Sequence, residues 1–128
     1  MTIFAELQKE IRISQLSFVE VQSVFAMKVR GGFIDRKDAG MQHARFHADV
    51  AAGDIEVVYV TTDHFAGAER LIGRHSFTKR LRTLDALQLA VALDLFALGP
   101  LDYFVVADKI LGEVATLEEL AVLDPAAP

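Results

Sequence analysis

The chain has 128 residues, of which 52% are hydrophobic and 24% charged; its net charge is −5 and it has no cysteine. This is the composition of one folded domain with a real core, and it excludes a disordered chain, a disulfide framework and a thiolate zinc site. The acidic balance excludes nucleic-acid binding by the surface as a whole, though not by a local basic rim.

No apolar run reaches the ~18 residues a membrane span needs. Glu6, Lys9 and Glu10 interrupt the stretch where an export signal would be apolar, so the expected location is the cytoplasm. Residues 1–8 are ambiguous and suit the end of a helix. Ile11 and Ile13 alternate with Arg12 and Ser14, which predicts a short strand. Ser17-Phe-Val-Glu20 has capping-box spacing and predicts the start of a helix running through Val21, Val24, Phe25 and Val29 to Gly31-Gly32. A second helix is expected from about Asp35 to Gly53. Residues 55–60 are mostly β-branched and read as a buried strand. Thr61 or Thr62 then caps a helix through Phe65, Ala68, Leu71 and Ile72. Residues 73–82 form a polar, basic connection.

The rest of the chain is organised around residues 81–93. Leu84, Leu87, Val91 and Leu95 recur at helical spacing, with Ala86, Leu89, Ala90 and Leu93 on the flanks. Thr83 is the expected cap, and Asp85 falls in the first turn. Asp85 is the only charge between Arg82 and Asp94. The helix dipole stabilises an acid there, and so does a bound cation. Residues 103–107 predict another buried strand with Asp108 at its end. A short helix over residues 109–115 and a last strand at Val122-Leu123 follow, before a Pro-Ala-Ala-Pro tail expected to fray. Strands alternate with helices, so the expected class is α/β with a mainly parallel sheet in a single domain. Ligands of such sheets lie beyond the carboxyl ends of the strands.

Glu20, Asp85 and Asp108 are the acids that such an edge would gather. Clustered carboxylates repel, and a hard divalent cation relieves the repulsion and supports phosphoryl chemistry. Each acid also has a plain structural role as a cap. His43 and His47 share a helix face but lack further ligands at matching spacing. His64 and His75 have no companions at motif spacing. Arg74, Lys79, Arg80 and Arg82 form either a solvated linker or a guide for a phosphate backbone, and only Phe77 is interleaved with them as an aromatic.

The series Ser17-Phe-Val-Glu20-Val, Leu81-Arg-Thr-Leu-Asp85-Ala-Leu-Gln-Leu-Ala90 and Phe104-Val-Val-Ala-Asp108-Lys-Ile-Leu resembles the PIN-domain family, and within it the VapC-type toxins of toxin–antitoxin pairs. The middle motif is the most specific, and the likeness covers about residues 11–125. It implies a three-layer α/β/α fold. It implies a Mg²⁺- or Mn²⁺-dependent endoribonuclease, usually a homodimer, inhibited by an antitoxin protein. Glu20, Asp85 and Asp108 match acidic metal-site positions, and Lys79 and Arg82 are the expected contacts to the RNA backbone. The chain departs from the pattern in two places. The family opens with a strand ending in Asp, which has no counterpart here, so the expected fold is truncated at its N-terminus. Gln88 stands where many relatives carry His. The alternative expectation is therefore a catalytically inactive PIN-like protein that binds an antitoxin, RNA or itself.

Overall fold

A computed structural model describes residues 11–99, 104–105 and 108–124. The expectations for residues 1–8, for Glu6 and Lys9, for the flanks of the 103–107 strand and for the terminal tail lie outside the described residues. In chain order the elements are β1 (Ile11–Ser14), α1 (Gln15–Arg30), α2 (Arg36–Ala51), β2 (Ile55–Val58), α3 (Thr62–His75), α4 (Thr83–Leu98), β3 (Phe104–Val105), α5 (Lys109–Leu117) and β4 (Val122–Leu123). The alternation of strand and helix is the one expected. The chain divides into two compact units, Met1–Tyr59 and Val60–Pro128.

In the first unit β1 and β2 pair in parallel, from Ile11 opposite Ile55 to Ser14 opposite Val58. Arg12 and Glu56 are partners in that register, and their side chains meet at 3.3 Å. Such a cross-strand ion pair supports the register. Strand β1 passes into α1 with no residue between them. Ser14 ends the strand and caps the helix, its Oγ accepting the Ser17 N–H at 3.1 Å. This corrects the expected capping box: Ser17 is not the cap, and Glu20 lies in the second turn rather than at N3. The reason is local. Ser14 offers the same hydroxyl chemistry as Ser17 three residues earlier, and as the last residue of the strand it stands where the helix begins with no residue between.

Both helices of this unit end on the glycines expected to stop them. Gly32 and Gly53 have φ of +78° and +85°. In each case the next amide reaches back to the helix, Phe33 to Lys28 and Asp54 to Asp49. These are Schellman closures, in which glycine carries the left-handed residue without steric cost. Asp35 caps α2 through the Asp38 N–H at 2.7 Å. The rings of α1 and α2 meet along a seam, with Phe18 centred 5.6 Å from Phe46 and 5.0 Å from His47. His43 faces Phe25, so the two histidines belong to an aromatic seam. Neither helix has a fully buried residue, and Val19, Val24, Met27 and Met41 are exposed.

The second unit holds the better-formed core. Helix α3 contributes Ala68 and Leu71, and α5 contributes Leu111, Val114 and Ala115. Helix α4 buries Ala86, Leu87, Leu89, Ala90, Val91 and Ala92. Four consecutive buried positions, Leu89–Ala92, cannot lie on one face, so α4 is enclosed around its circumference over its middle turns, while both its ends are exposed. Leu84, expected in a buried stripe, is exposed; the alanines expected on the flanks are buried instead. Small residues let helices approach closely, and a Cβ at Gly67 of α3 would stand 3.4 Å from that of Ala90. Thr83 is the first helical residue rather than the cap, a place taken by Arg82. Strands β3 and β4 pair in parallel, Phe104 with Val122 and Val105 with Leu123. Among the described residues no helix is long and apolar enough to cross a membrane.

Candidate active site

Asp85 stands at the third position of α4, half-buried at the mouth of the most apolar helix in the chain. Burial pushes its carboxyl above the usual carboxylate range, and the charge of Asp108 pushes it the same way. A hydrogen bond from the Arg82 backbone N–H and the Arg82 guanidinium pull it down, but less strongly. Asp85 thus does what a first-turn acid does, closing back on the cap residue. It also feels a second carboxylate.

That carboxylate, Asp108, is exposed and caps α5, with Oδ1 accepting the Leu111 N–H at 2.8 Å. One oxygen is thereby committed to the helix. The fold brings these two expected acids close enough to repel, although a long stretch of chain separates them. Glu20 lies on α1 in the other unit, half-buried, with no hydrogen bond or ion pair among the described residues. Among the described residues no group of three or more His, Cys, Asp or Glu side chains is placed to share a metal ion. The oxygen-only donors of Asp85 and Asp108 nonetheless suit a hard divalent cation, and their mutual repulsion is what such an ion relieves.

The basic connection is sorted by its partners. Lys79 Nζ is 3.0 Å from Glu113 Oε2. Arg74 donates to both oxygens of Glu118, at 2.7 and 2.6 Å. Arg80 and Arg82 are exposed and form no salt bridge among the described residues. Of the two expected backbone contacts, Arg82 places its charge near the site, where Asp85 feels it, and Lys79 is already paired.

Two histidine–carboxylate pairs have no counterpart in the motif reading. His64 is buried, and its Nδ1 accepts the Thr61 N–H at 2.9 Å. Its Nε2–H therefore donates to Asp94 Oδ2, at 2.8 Å. His75 Nε2 lies 2.6 Å from Glu118 Oε2. Burial pushes the Glu118 carboxyl up, but hydrogen bonds from His75 and Arg74, with their charges, outweigh it and hold the group below its ordinary range. A groove of about 310 Å³ between α3 and α4 is lined by members of both clusters, with Arg70 and Asp63 at its side. No local spacing signals these pairs, because their partners are distant in sequence. The expectation that His64 and His75 stand alone is corrected by the fold.

The PIN domain profile matches residues 2–97 of the chain. The chain belongs to the PIN domain family, and its α/β fold of helices and short parallel strands is that of the family. The matched stretch begins ahead of Ile11, where the sequence resemblance starts, and it crosses from the first compact unit into the second. It contains Glu20 and Asp85 and ends before Asp108. Family membership points to nuclease-type chemistry. No curated protein matches the chain, and no solved structure matches it.

Proposed function

We propose that the chain is a VapC-type toxin, a single PIN domain that hydrolyses RNA phosphodiester bonds with Mg²⁺ or Mn²⁺. The observation that carries this reading is the Asp85–Asp108 pair: a half-buried carboxylate whose pKa is raised by its burial and by a second acid. Such an arrangement costs stability in the free protein, and perturbed carboxylates of this kind gather at functional sites. Asp85 and Asp108 would hold the ion. When bound, the cation supplies an acidified water and stabilises charge at the phosphate. Arg82 and Arg80 attract the RNA backbone and fix its approach. Asp85 keeps its carboxylate directed by the Arg82 N–H, and Asp108 is held by its own helix cap. A cytoplasmic antitoxin and a homodimer complete the proposal.

RNA cleavage in Mn²⁺ tests it. Activity is expected to vanish in EDTA and in Asp85→Asn while the fold is retained; undiminished cleavage by Asp85→Asn refutes the reading. A second reading, a non-catalytic binding protein, draws on α1 and α2, whose apolar residues Val19, Val24, Met27 and Met41 stay exposed. A well-folded protein that cuts no RNA but binds an antitoxin favours it.

A further inference from the structure

We infer that Phe77 is a stacking platform for an unpaired RNA base, working with the guanidiniums of Arg80 and Arg82. The inference rests on the ribonuclease reading and adds a residue to it. Phe77 is 90% exposed, the most exposed of the large apolar side chains described. An exposed phenylalanine is commonplace by itself, but this one has an unusual mounting. It sits in the turn that joins α3 to α4, and the turn is tied from within. The Thr78 and Lys79 amides both donate to the His75 carbonyl, at 3.1 and 2.8 Å, and the Leu81 amide donates to the Lys79 carbonyl at 2.9 Å. Ser76 Oγ donates to the Leu81 carbonyl at 3.1 Å. Leu81 is buried, His75 is held by Glu118 and Lys79 by Glu113. The ring thus stands in water on a braced support, and little order remains to be imposed when something lands on it.

The charges beside it suit nucleic acid. Arg74 and Lys79 are neutralised by carboxylates, whereas Arg80 and Arg82 are exposed without a salt bridge among the described residues. An exposed aromatic ring followed within five residues by two exposed guanidiniums, on the segment that leads into Asp85, is the combination that holds single strands. Bases stack on the ring and phosphates meet the cations. The rest of the chain carries an excess of negative charge, so this attraction is local. A base can reach the ring only when it is unpaired. The platform therefore selects single-stranded RNA over duplex, and it accepts any base that presents a free face.

Because the chain has no tryptophan, Phe77→Trp introduces a single fluorescent reporter at this position. In an Asp85→Asn background, a short oligoadenylate is expected to quench that fluorescence, and a duplex RNA is expected to leave it unchanged. Binding of a labelled oligoadenylate, followed by anisotropy, should weaken roughly tenfold or more in Phe77→Ala. It should recover in Phe77→Tyr, with the urea midpoint the same in all variants. Oligoadenylate bound equally by Phe77→Ala, without quenching of the introduced indole in Phe77→Trp, overturns the platform and leaves the ribonuclease reading standing. Absence of RNA binding by every variant, wild type included, overturns both. Quenching that follows protein concentration without RNA also overturns the platform and assigns the ring to a contact between copies of the chain.

Discussion

The two perturbed carboxylates respond to pH with opposite signs. Glu118 has a lowered folded pKa against an ordinary value of 4.5. Its contribution is fully present above about pH 4.5, and it is lost as pH falls through the folded pKa. Glu118→Gln is therefore expected to destabilise the protein by about 2 kcal/mol at neutral pH, the cost of weakening its hydrogen bonds to the Arg74 guanidinium and the His75 ring. The deficit should shrink below pH 4.5, which urea unfolding across pH measures. Asp85 behaves the other way. Its folded pKa is raised above 3.8, so the folded state binds the proton more tightly, and stability is lost as pH rises through that range. Asp85→Asn should leave stability equal or higher, by less than about 1 kcal/mol, while removing RNA cleavage. Mn²⁺ should raise the Tm of the wild type and leave that of Asp85→Asn unmoved. Lower stability in Asp85→Asn, with a preserved Mn²⁺ shift, would assign the residue to capping alone.

At the scale of elements, most of the architecture was legible. Gly31-Gly32 and Gly53 mark their helix ends because the chain must turn left-handed there. Asp35 and Thr61 stand at their helix starts as read. Errors arose where two residues compete for one job. Ser14 displaced Ser17 as the cap of α1, and Arg82 displaced Thr83 at α4. A cap is chosen by where the preceding segment releases the backbone, and spacing alone does not contain that. Ser14→Ala is accordingly expected to cost about 1 kcal/mol, with Ser17→Ala costing less, as thermal unfolding of the two variants would register. The inward stripe of α4 was misplaced for a related reason. A helix enclosed on all sides over its middle turns has no amphipathic pattern to read there, and the exposure of Leu84 at its start is settled by its neighbours. The order of the chain marked Asp85 and Asp108, and the fold brings the charge of one to bear on the other. The pairs His64–Asp94 and His75–Glu118 were not, since only folding makes those residues neighbours.

For the whole molecule, the balance of charge limits how RNA is held. A chain of net charge −5 repels a polyanion except where exposed cations gather. Arg80 and Arg82 are two such cations, and each phosphate contact to a single strand contributes about −0.7 to the slope of log K against log salt. A slope of about −1.4 is therefore expected for oligoadenylate binding through two such contacts. A much steeper slope would mean that further basic residues take part. The junction of β1 and α1 has a consequence of its own. No loop separates them, so the hydrogen-bonded pairing of Ile11 with Ile55 sets the rotational phase of the entire helix that follows. One residue inserted after Ser14 would turn every later side chain of α1 by about 100°, carrying Glu20 and Phe18 off their present bearings together. Relatives that keep this acid should vary in length within the turn between α1 and α2 and hold constant length between Ile11 and Glu20. That stretch serves as a fixed ruler against which their chains can be aligned.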